Sequence, residues 1–234
     1  MTRPHSIQTS VDPVIFTVFD NKLHILLVRR NIEPYNGCWS LPGGLIDCEE
    51  DLDIASAATR KLKEKTNLSG CYLEQVATVG SASRDPRGWS ITIVYFALIP
   101  KPGEITLAAT HGASEVRWEP LNNNGIAIPL AFDHEKLIQM ALERLRSKVS
   151  YTSVAAHLLA EAFTLLDLQN IHEIILGRKV EKKTLMRRYI GSDLLLKVPE
   201  NRHEGRMRPA QLYQLKERNK VHYFVRSMEG PREE

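Results

Sequence analysis

Residues 41–68 read LPGGLIDCEEDLDIASAATRKLKEKTNL, and this stretch decides the fold of the first part of the chain. Gly43 and Gly44 predict a loop, because glycine lets the backbone turn tightly and approach a ligand closely. Asp53 belongs to the residue types that cap helices. Three apolar residues follow it at helical spacing, namely Ile54, Ala58 and Leu62. The stretch therefore predicts a glycine loop and then a helix that runs to about residue 66.

The charges of this helix determine whether it could bind a metal ion or a phosphate. Lys61, Glu64 and Lys65 fall on one face, since residues three and four apart are neighbours on a helix. Magnesium prefers oxygen ligands, mostly carboxylates and phosphates, whereas a lysine repels a cation and attracts a phosphate. This helix face is therefore better suited to binding a diphosphate than to hydrolysing one with the help of a metal ion. The alternative is an exposed helix face whose lysines have no ligand.

This stretch resembles the Nudix box, the loop and helix of nucleoside-diphosphate hydrolases, whose pattern is G-x5-E-x7-R-E-U-x-E-E-x-G-U with U a bulky aliphatic residue. After Arg60, two of the three expected glutamates are Lys61 and Lys65. Glu64 keeps its box position and is the one weak candidate for a metal ligand. The chain is also two residues longer between Gly44 and Arg60 than the pattern. The resemblance therefore predicts a degenerate box without catalytic residues, in a protein that is not an enzyme.

Composition limits the class of protein. The chain has 234 residues, of which 43% are hydrophobic, enough for one large or two modest domains. It lacks an apolar run of membrane-spanning length, and its first ten residues lack the apolar core of a secretory signal. Its three cysteines lack metal-ligand spacing and fit a reducing compartment. These features predict a cytoplasmic protein without a membrane partner or a zinc site.

Charge is distributed unevenly along the sequence. Residues 1–150 carry a net charge of −1, and residues 151–234 carry +4. Between residues 178 and 226 there are 14 basic and 5 acidic residues, a net charge of +9. A neutral first part and a strongly basic second part indicate that the second part binds an acidic macromolecule.

The first part predicts a mixed α/β domain of Nudix-like size over residues 1–148. Runs of β-branched and aromatic residues predict strands, and helical periodicity predicts two helices. The predicted strands are 14–19, 23–29, 73–79, 91–99 and 113–118, and the predicted helices are 53–66 and 131–148.

The second part, residues 149–234, predicts a winged helix-turn-helix domain. Three helices are expected at 151–163, 165–176 and 181–190, followed by two strands at 194–198 and 210–215. Gly177 ends the second helix as a C-cap. A helix pair followed by a hairpin with a basic tip is the order of elements in a winged helix.

In that fold the third helix enters the major groove of double-stranded DNA. Arginine can form two hydrogen bonds with guanine, and lysine mostly contacts phosphates. The expected DNA-contacting residues of the helix and of the hairpin are Lys182, Lys183, Thr184, Arg187, Arg188, Arg202, Arg206 and Arg208. The alternative is a basic surface without a partner.

A degenerate Nudix box followed by a basic winged helix resembles the NrtR group of Nudix-related transcriptional regulators. The segment 205–213, GRMRPAQLY, is similar to the GRPAxLY-like segment of that group. The resemblance implies a homodimeric repressor of NAD biosynthesis or salvage genes, which binds operator DNA. It also implies ADP-ribose as the effector that releases the DNA, without a required cofactor.

The segment 83–89, SRDPRGW, is similar to the RDPRG stretch of Nudix proteins that handle ADP-ribose. Arginine suits a diphosphate because its planar guanidinium donates several hydrogen bonds. The expected ligand-binding residues are Arg84, Asp85, Arg87, Arg29, Gly44, Lys61 and Lys65. The alternative for residues 84–87 is an exposed turn with two solvated arginines.

Three functions remain open at this point. The first is a ligand-controlled DNA-binding repressor without hydrolase activity. The second is an active Nudix hydrolase of ADP-ribose or a related nucleoside diphosphate, with an added nucleic-acid-binding domain. The third is a constitutive DNA-binding protein whose α/β part only dimerises. Lys61 and Lys65 argue against the second.

Overall fold

The computed structural model describes residues 7–66, 70–100, 112–122, 125–202 and 209–224. The chain falls into two units, Met1–Arg144 and Leu145–Glu234. The division lies inside the helix His134–Val149, and the boundary after residue 148 stays a prediction. Among the described residues, none of the helices has the length and apolar content that crossing a bilayer requires.

The first unit is built on a mixed sheet that has seven strands among the described residues. These strands are β1 (Gln8–Phe19), β2 (Lys22–Arg30), β3 (Trp39–Ser40), β4 (Gly44–Leu45), β5 (Tyr72–Ser81), β6 (Ser90–Leu98) and β7 (Ala113–Pro120). β1 pairs in parallel with β6 and antiparallel with β2. Asp20 and Asn21 form the turn between β1 and β2 with φ angles of 48° and 55°, a conformation that Asp and Asn tolerate.

Helix α1 (Ile54–Thr66) packs on this sheet through the apolar stripe that the sequence predicts. Ala58 and Leu62 are buried in two apolar clusters with strand residues such as Val11 and Ile15. Ile54, the first residue of the helix, is 42% exposed because it follows an exposed turn. Of the three apolar residues at helical spacing, Ala58 and Leu62 are the two that the fold buries.

Helix α2 (His134–Val149) begins three residues later than its sequence pattern predicts. The reason is Phe132, whose φ angle of 56° lies in the left-handed region and cannot belong to a right-handed helix. A bulky aromatic residue is uncommon there, so the surrounding structure has to hold it in that conformation.

The second unit has the predicted order of elements. After a short 3-10 helix (Val154–Leu158) come α3 (Leu165–Leu176), α4 (Lys182–Tyr189), β8 (Leu195–Arg202) and β9 (Ala210–Leu215). The helix predicted over 151–163 is only this five-residue segment, because Leu159 has an extended backbone that ends it. Thr164 and Asp167 form a capping box for α3, and Gly177 ends the helix at φ 64° as predicted.

The core of the second unit contains a polar pair. Tyr189 of α4 is fully buried, and its hydroxyl lies 3.4 Å from Nε2 of His172 on α3. Nδ1 of His172 lies 2.7 Å from the carbonyl oxygen of Leu168. Burial lowers the pKa of His172 to about 4, so the imidazole is neutral at physiological pH.

Candidate ligand cavity and candidate nucleic-acid face

A cavity of about 530 Å³ lies in the first unit, between the ends of strands, the glycine loop and α1. Its walls combine cationic, acidic and apolar side chains. Its lining includes Ser10, Asp12, Val28, Arg30, Gly43, Gly44, Lys61, Glu64, Arg84, Asp85, Arg87, Phe132 and His134.

Arg30, and not Arg29, lines the cavity. Val28 and Arg30 are two apart on β2 and both line it, whereas Arg29 bonds to the carbonyl oxygen of Gly37 and pairs with Glu115 at 3.5 Å. The predicted ligand contact of Arg29 is therefore not supported, because adjacent strand residues point to opposite sides of a sheet.

Arg30 is oriented by its own loop. Its Nε donates to the carbonyl oxygen of Pro34 at 2.8 Å, and its guanidinium lies 4.9 Å from the centre of the Phe132 ring. Tyr35 contacts the same ring edge-on at 4.7 Å. Nη1 of Arg30 has no hydrogen-bond partner among the described residues, which leaves it available to a ligand.

Arg87 forms a forked ion pair with Asp85. Its Nε and Nη2 donate to the two carboxylate oxygens at 3.0 and 2.7 Å, and its backbone N–H donates at 2.9 Å. These bonds hold the pKa of Asp85 below its usual value and raise the pKa of Arg87. Burial lowers the pKa of Arg30, and the charge of Arg87 lowers it further. An anion between the two guanidinium groups would relieve their repulsion.

Arg84 lies at the buried end of the cavity and is only 8% exposed. Its Nε and Nη2 donate to the carboxylate of Asp133 at 3.2 and 2.9 Å, and its Nη1 donates to Ser90 at 3.4 Å. Asp12 lies 3.8 Å away. Because protein groups already take these donors, Arg84 is better suited to shaping the cavity than to gripping a diphosphate.

Lys61 occupies the position where the Nudix pattern has a carboxylate. Its Nζ donates to Oε2 of Glu64 at 3.1 Å, and Arg60 donates to the other oxygen of Glu64 at 2.7 Å. Burial acts to raise the pKa of Glu64, but these two donors outweigh it and hold the pKa below its usual value. Lys65 belongs to α1, and its side chain lies outside the described residues.

The segment between Gly44 and Arg60, which is two residues longer than the pattern, contains a closed turn at residues 47–51. The backbone N–H of Asp51 donates to the carbonyl oxygen of Asp47, and the N–H of Asp47 donates to the Asp51 carboxylate, both at 2.8 Å. Arg60 grips the same carboxylate at 2.7 and 2.6 Å, which lowers the pKa of Asp51 to about 2. Sequence reasoning missed Asp51, because the Nudix pattern with its expected spacing does not place its first glutamate at position 51.

The Nudix pattern implies a magnesium ion, and the residues present do not fit one. Magnesium needs several oxygen ligands, but the carboxylate of Glu64 is shared between Arg60 and Lys61. Across the described residues, no three side chains of the ligand-forming types are grouped for a metal. Lys61 also places a positive charge 3.1 Å from the Glu64 carboxylate, which would repel a cation held there.

Sequence reasoning also missed Asp12 and His134. Asp12 lies on β1 and is 5% exposed, and His134 begins α2 and is 6% exposed. Nδ1 of His134 accepts a hydrogen bond from the N–H of Leu41 at 2.9 Å, and this bond anchors the glycine loop. A Cβ at Gly43 would lie 1.8 Å from Oδ1 of Asp12, so only glycine fits. No motif contains these residues, since strand pairing alone brings them together.

Helix α4 forms a separate, cationic face in the second unit. Leu185 and Tyr189 are buried, which turns the opposite side of the helix outward. The predicted residues Lys182, Lys183 and Arg187 are exposed. Thr184 is partly buried and donates to Glu181 at 3.0 Å.

Two other predicted DNA contacts face protein groups. Arg188 donates to the carbonyl oxygen of Ser150 at 2.8 Å, and Arg202 donates to Asp167 at 2.8 Å. Both side chains are partly buried and held by a partner within the unit, and their DNA contacts stay predictions. Arg206 and Arg208 lie outside the described residues.

Two family models match the chain. The NUDIX domain matches residues 10–141, and the NrtR DNA-binding winged helix domain matches residues 155–215. The predicted fold class, a Nudix-like α/β domain followed by a winged helix, is thereby confirmed.

Relatives of known function resemble both parts. The ADPR responsive transcriptional repressor NtrR of Acinetobacter baylyi is 43% identical over 223 residues, which cover 95% of this chain and 88% of that protein. An ADP-ribose pyrophosphatase of Methanocaldococcus jannaschii is 42% identical over 121 residues, which cover 51% of this chain and 65% of that protein.

Solved structures of NrtR from Shewanella oneidensis also resemble the chain. NrtR in complex with a 27mer DNA has a TM-score of 0.85 at 43% identity, covering 94% of this chain and 99% of that one. Its NUDIX domain in complex with ADP ribose has a TM-score of 0.54 at 45% identity, covering 60% of this chain and 89% of that one. The chain belongs to the NrtR family, in which a Nudix domain is joined to a winged helix DNA-binding domain.

Proposed function

We propose that this protein is a homodimeric transcriptional repressor of NAD biosynthesis or salvage genes, which ADP-ribose releases from its operator. The contact that carries the proposal is the bond between Lys61 Nζ and Glu64 at 3.1 Å. It replaces a metal ligand with a cation on the wall of the cavity. Because the ammonium has three donors and Glu64 takes one, the same group can bind a phosphate.

The anion site rests on three cations of the cavity. Arg30, Lys61 and Arg87 are each oriented by a protein acceptor, at 2.8, 3.1 and 2.7 Å. Preorganised donors lose little freedom when a diphosphate binds. The complex of the Shewanella oneidensis NrtR NUDIX domain with ADP ribose supports this choice of ligand.

The DNA site rests on α4. Its exposed residues Lys182, Lys183 and Arg187 suit the phosphates and base edges of a major groove. The resemblance over 94% of the chain to NrtR in complex with DNA supports this partner. Release requires ADP-ribose to bind the DNA-incompetent arrangement more tightly, since equal affinity for both arrangements would shift nothing.

The deciding experiment measures binding of the full chain to a duplex that the protein selects from a random DNA pool. ADP-ribose should release this duplex, and ADP-ribose should not release it from the variant Arg30→Ala/Arg87→Ala, which loses the guanidinium pair of the cavity. Unchanged DNA affinity at millimolar ADP-ribose would favour a constitutive DNA-binding protein whose first domain only dimerises.

The second candidate function is hydrolysis of ADP-ribose, and the similarity to the Methanocaldococcus jannaschii pyrophosphatase favours it. We infer that this chain does not perform it, because the box lacks the carboxylates that would hold magnesium. Incubation with ADP-ribose and magnesium, followed by detection of AMP, tests this inference. Turnover near ordinary enzyme rates of ~1–10³ s⁻¹ would overturn it. The variant Lys61→Glu/Lys65→Glu restores the box carboxylates and should exceed the parent chain in turnover.

A further inference from the structure

Asp12 is a buried carboxylate in a cavity that otherwise suits an anion. It is 5% exposed and lines the cavity from β1. Its Oδ2 accepts a hydrogen bond from Thr92 at 2.6 Å and one from Ser10 at 3.5 Å. Oδ2 also has the Arg84 guanidinium 3.8 Å away as a counter-ion. A negative charge at this place repels phosphate, so Asp12 does not serve the diphosphate.

The other carboxylate oxygen, Oδ1, has no hydrogen-bond donor among the described residues. Its nearest ion-pair partner, Nε2 of His134, is 3.9 Å away, which is too long for a hydrogen bond. Burial lowers the pKa of His134, and the guanidinium of Arg84, 3.8 Å from Oδ2, is a cation beside this carboxylate. Oδ1 occupies the space that a side chain at position 43 would fill, since a Cβ there would come within 1.8 Å. A strong acceptor therefore faces the cavity without a protein donor.

An uncharged donor on the ligand would satisfy this oxygen. A hydrogen bond to a charged acceptor is stronger than one between neutral groups. Sugar hydroxyls are such donors, and ADP-ribose carries them on both ribose rings beside its diphosphate.

We propose that Asp12 accepts a hydrogen bond from a ribose hydroxyl of the bound ligand, so that the cavity selects phosphorylated sugars with that hydroxyl free. The proposal rests on the proposed function, because it assumes that ADP-ribose binds this cavity. Thr92 is a positioning residue, since its bond to Oδ2 fixes the direction in which Oδ1 points.

Calorimetric titration of the full chain tests the proposal. The probes are ADP-ribose and five analogues that each lack one hydroxyl, at the 2′, 3′, 1″, 2″ or 3″ carbon, which separates the adenosine ribose from the terminal ribose. One analogue should bind the parent chain about tenfold more weakly than ADP-ribose, the size of a lost hydrogen bond to a charged group. The variant Asp12→Ala should lose about tenfold for ADP-ribose and lose nothing further for that analogue.

Two further variants allow the test to be made even if Asp12→Ala does not fold. Asp12→Asn keeps an acceptor oxygen without the charge, and Thr92→Val leaves the carboxylate without its orienting bond. Each should reduce the difference between ADP-ribose and the weak analogue by at least about twofold, because a neutral or misdirected acceptor forms a weaker bond. Equal binding of all six probes to the parent chain overturns the proposal, and so does an unchanged difference in folded variants. Absence of ADP-ribose binding to the parent chain would overturn the proposed function instead.

Discussion

Neighbouring residues of the same type have different roles in this protein. Arg30 lines the cavity and Arg29 does not, while Arg187 is exposed and Arg188 bonds to a backbone carbonyl. The sequence predicts which residue types are needed, since phosphates and DNA both require cations. It does not predict which member of a pair faces the ligand, because that depends on strand register and on the orientation of the helix.

The two glycines of the loop allow a test of how tightly the loop packs against β1. A Cβ at Gly43 would lie 1.8 Å from Asp12 Oδ1 and 2.7 Å from the carbonyl oxygen of Val11, and the backbone cannot yield. A Cβ at Gly44 would meet only the flexible end of Lys61 at 3.0 Å. Gly43→Ala should destabilise the protein by about 1–3 kcal/mol in urea unfolding. The matched Gly44→Ala should cost less, and equal costs would show that the loop can move away.

Arg29 and Arg30, at the end of β2, allow a second test with single substitutions. Arg30→Ala should weaken ADP-ribose binding about tenfold or more, because it removes a charged donor from the cavity wall. Arg29→Ala should change the affinity by less than about twofold, because its side chain pairs with Glu115 at an exposed site. Calorimetric titration of both variants measures the difference. A larger loss for Arg29→Ala would place the ligand outside the cavity.

Local patterns in the sequence predict most of the helices and strands of this protein. Helix α3 has its predicted bounds because Thr164, Asp167 and Gly177 form caps that residue type alone reveals. The errors occur where the backbone departs from such signals. Phe132 delays α2 through its left-handed conformation, and Leu159 ends the 3-10 helix through its extended one. The left-handed conformation is unfavourable for phenylalanine, so tertiary contacts have to impose it at Phe132. The extended conformation of Leu159 is open to any residue, so residue type does not reveal it.

Helix α4 allows a matched test of DNA contact. Arg187→Ala should weaken binding to the selected duplex more than binding to random DNA if the guanidinium reads a base. A uniform loss with a shallower salt dependence would make Arg187 a phosphate contact. Arg188→Ala is the control, since it removes the bond to Ser150 and should lower thermal stability more than DNA specificity. Binding isotherms at several salt concentrations separate these results.

At the scale of the whole molecule, the cavity is assembled from parts of the chain that are far apart. Parallel pairing of β1 with β6 sets Ser10 opposite Thr92, and this places Asp12 beside the Thr92 hydroxyl. His134 comes from α2, some 90 residues beyond the glycine loop that it anchors. The box, the arginine stretch and the basic helix were predicted because each is continuous in sequence. Asp12, Arg30 and His134 form a site only after the sheet has formed.

The buried histidine of the second unit links stability to pH. The pKa of His172 is lowered from 6.5 to about 4 because burial disfavours the imidazolium. Between pH 4 and 6.5 the unfolded chain therefore binds a proton at His172 that the folded chain does not bind. The stabilising contribution is complete above pH 6.5 and is lost as the pH falls toward 4, by on the order of 3 kcal/mol. Urea unfolding of the full chain at pH 7.5, 6 and 5 measures this decline.

The variant His172→Gln identifies the source of the decline. Glutamine can still donate to the Leu168 carbonyl oxygen but does not titrate, so one proton should disappear from the pH dependence of the free energy of unfolding. His157, whose pKa burial also lowers to about 4, keeps its own contribution in the variant. The slope should therefore decrease without vanishing. An unchanged slope would mean that His172 is solvated in the folded protein, and its bond to Tyr189 would then not belong to the core.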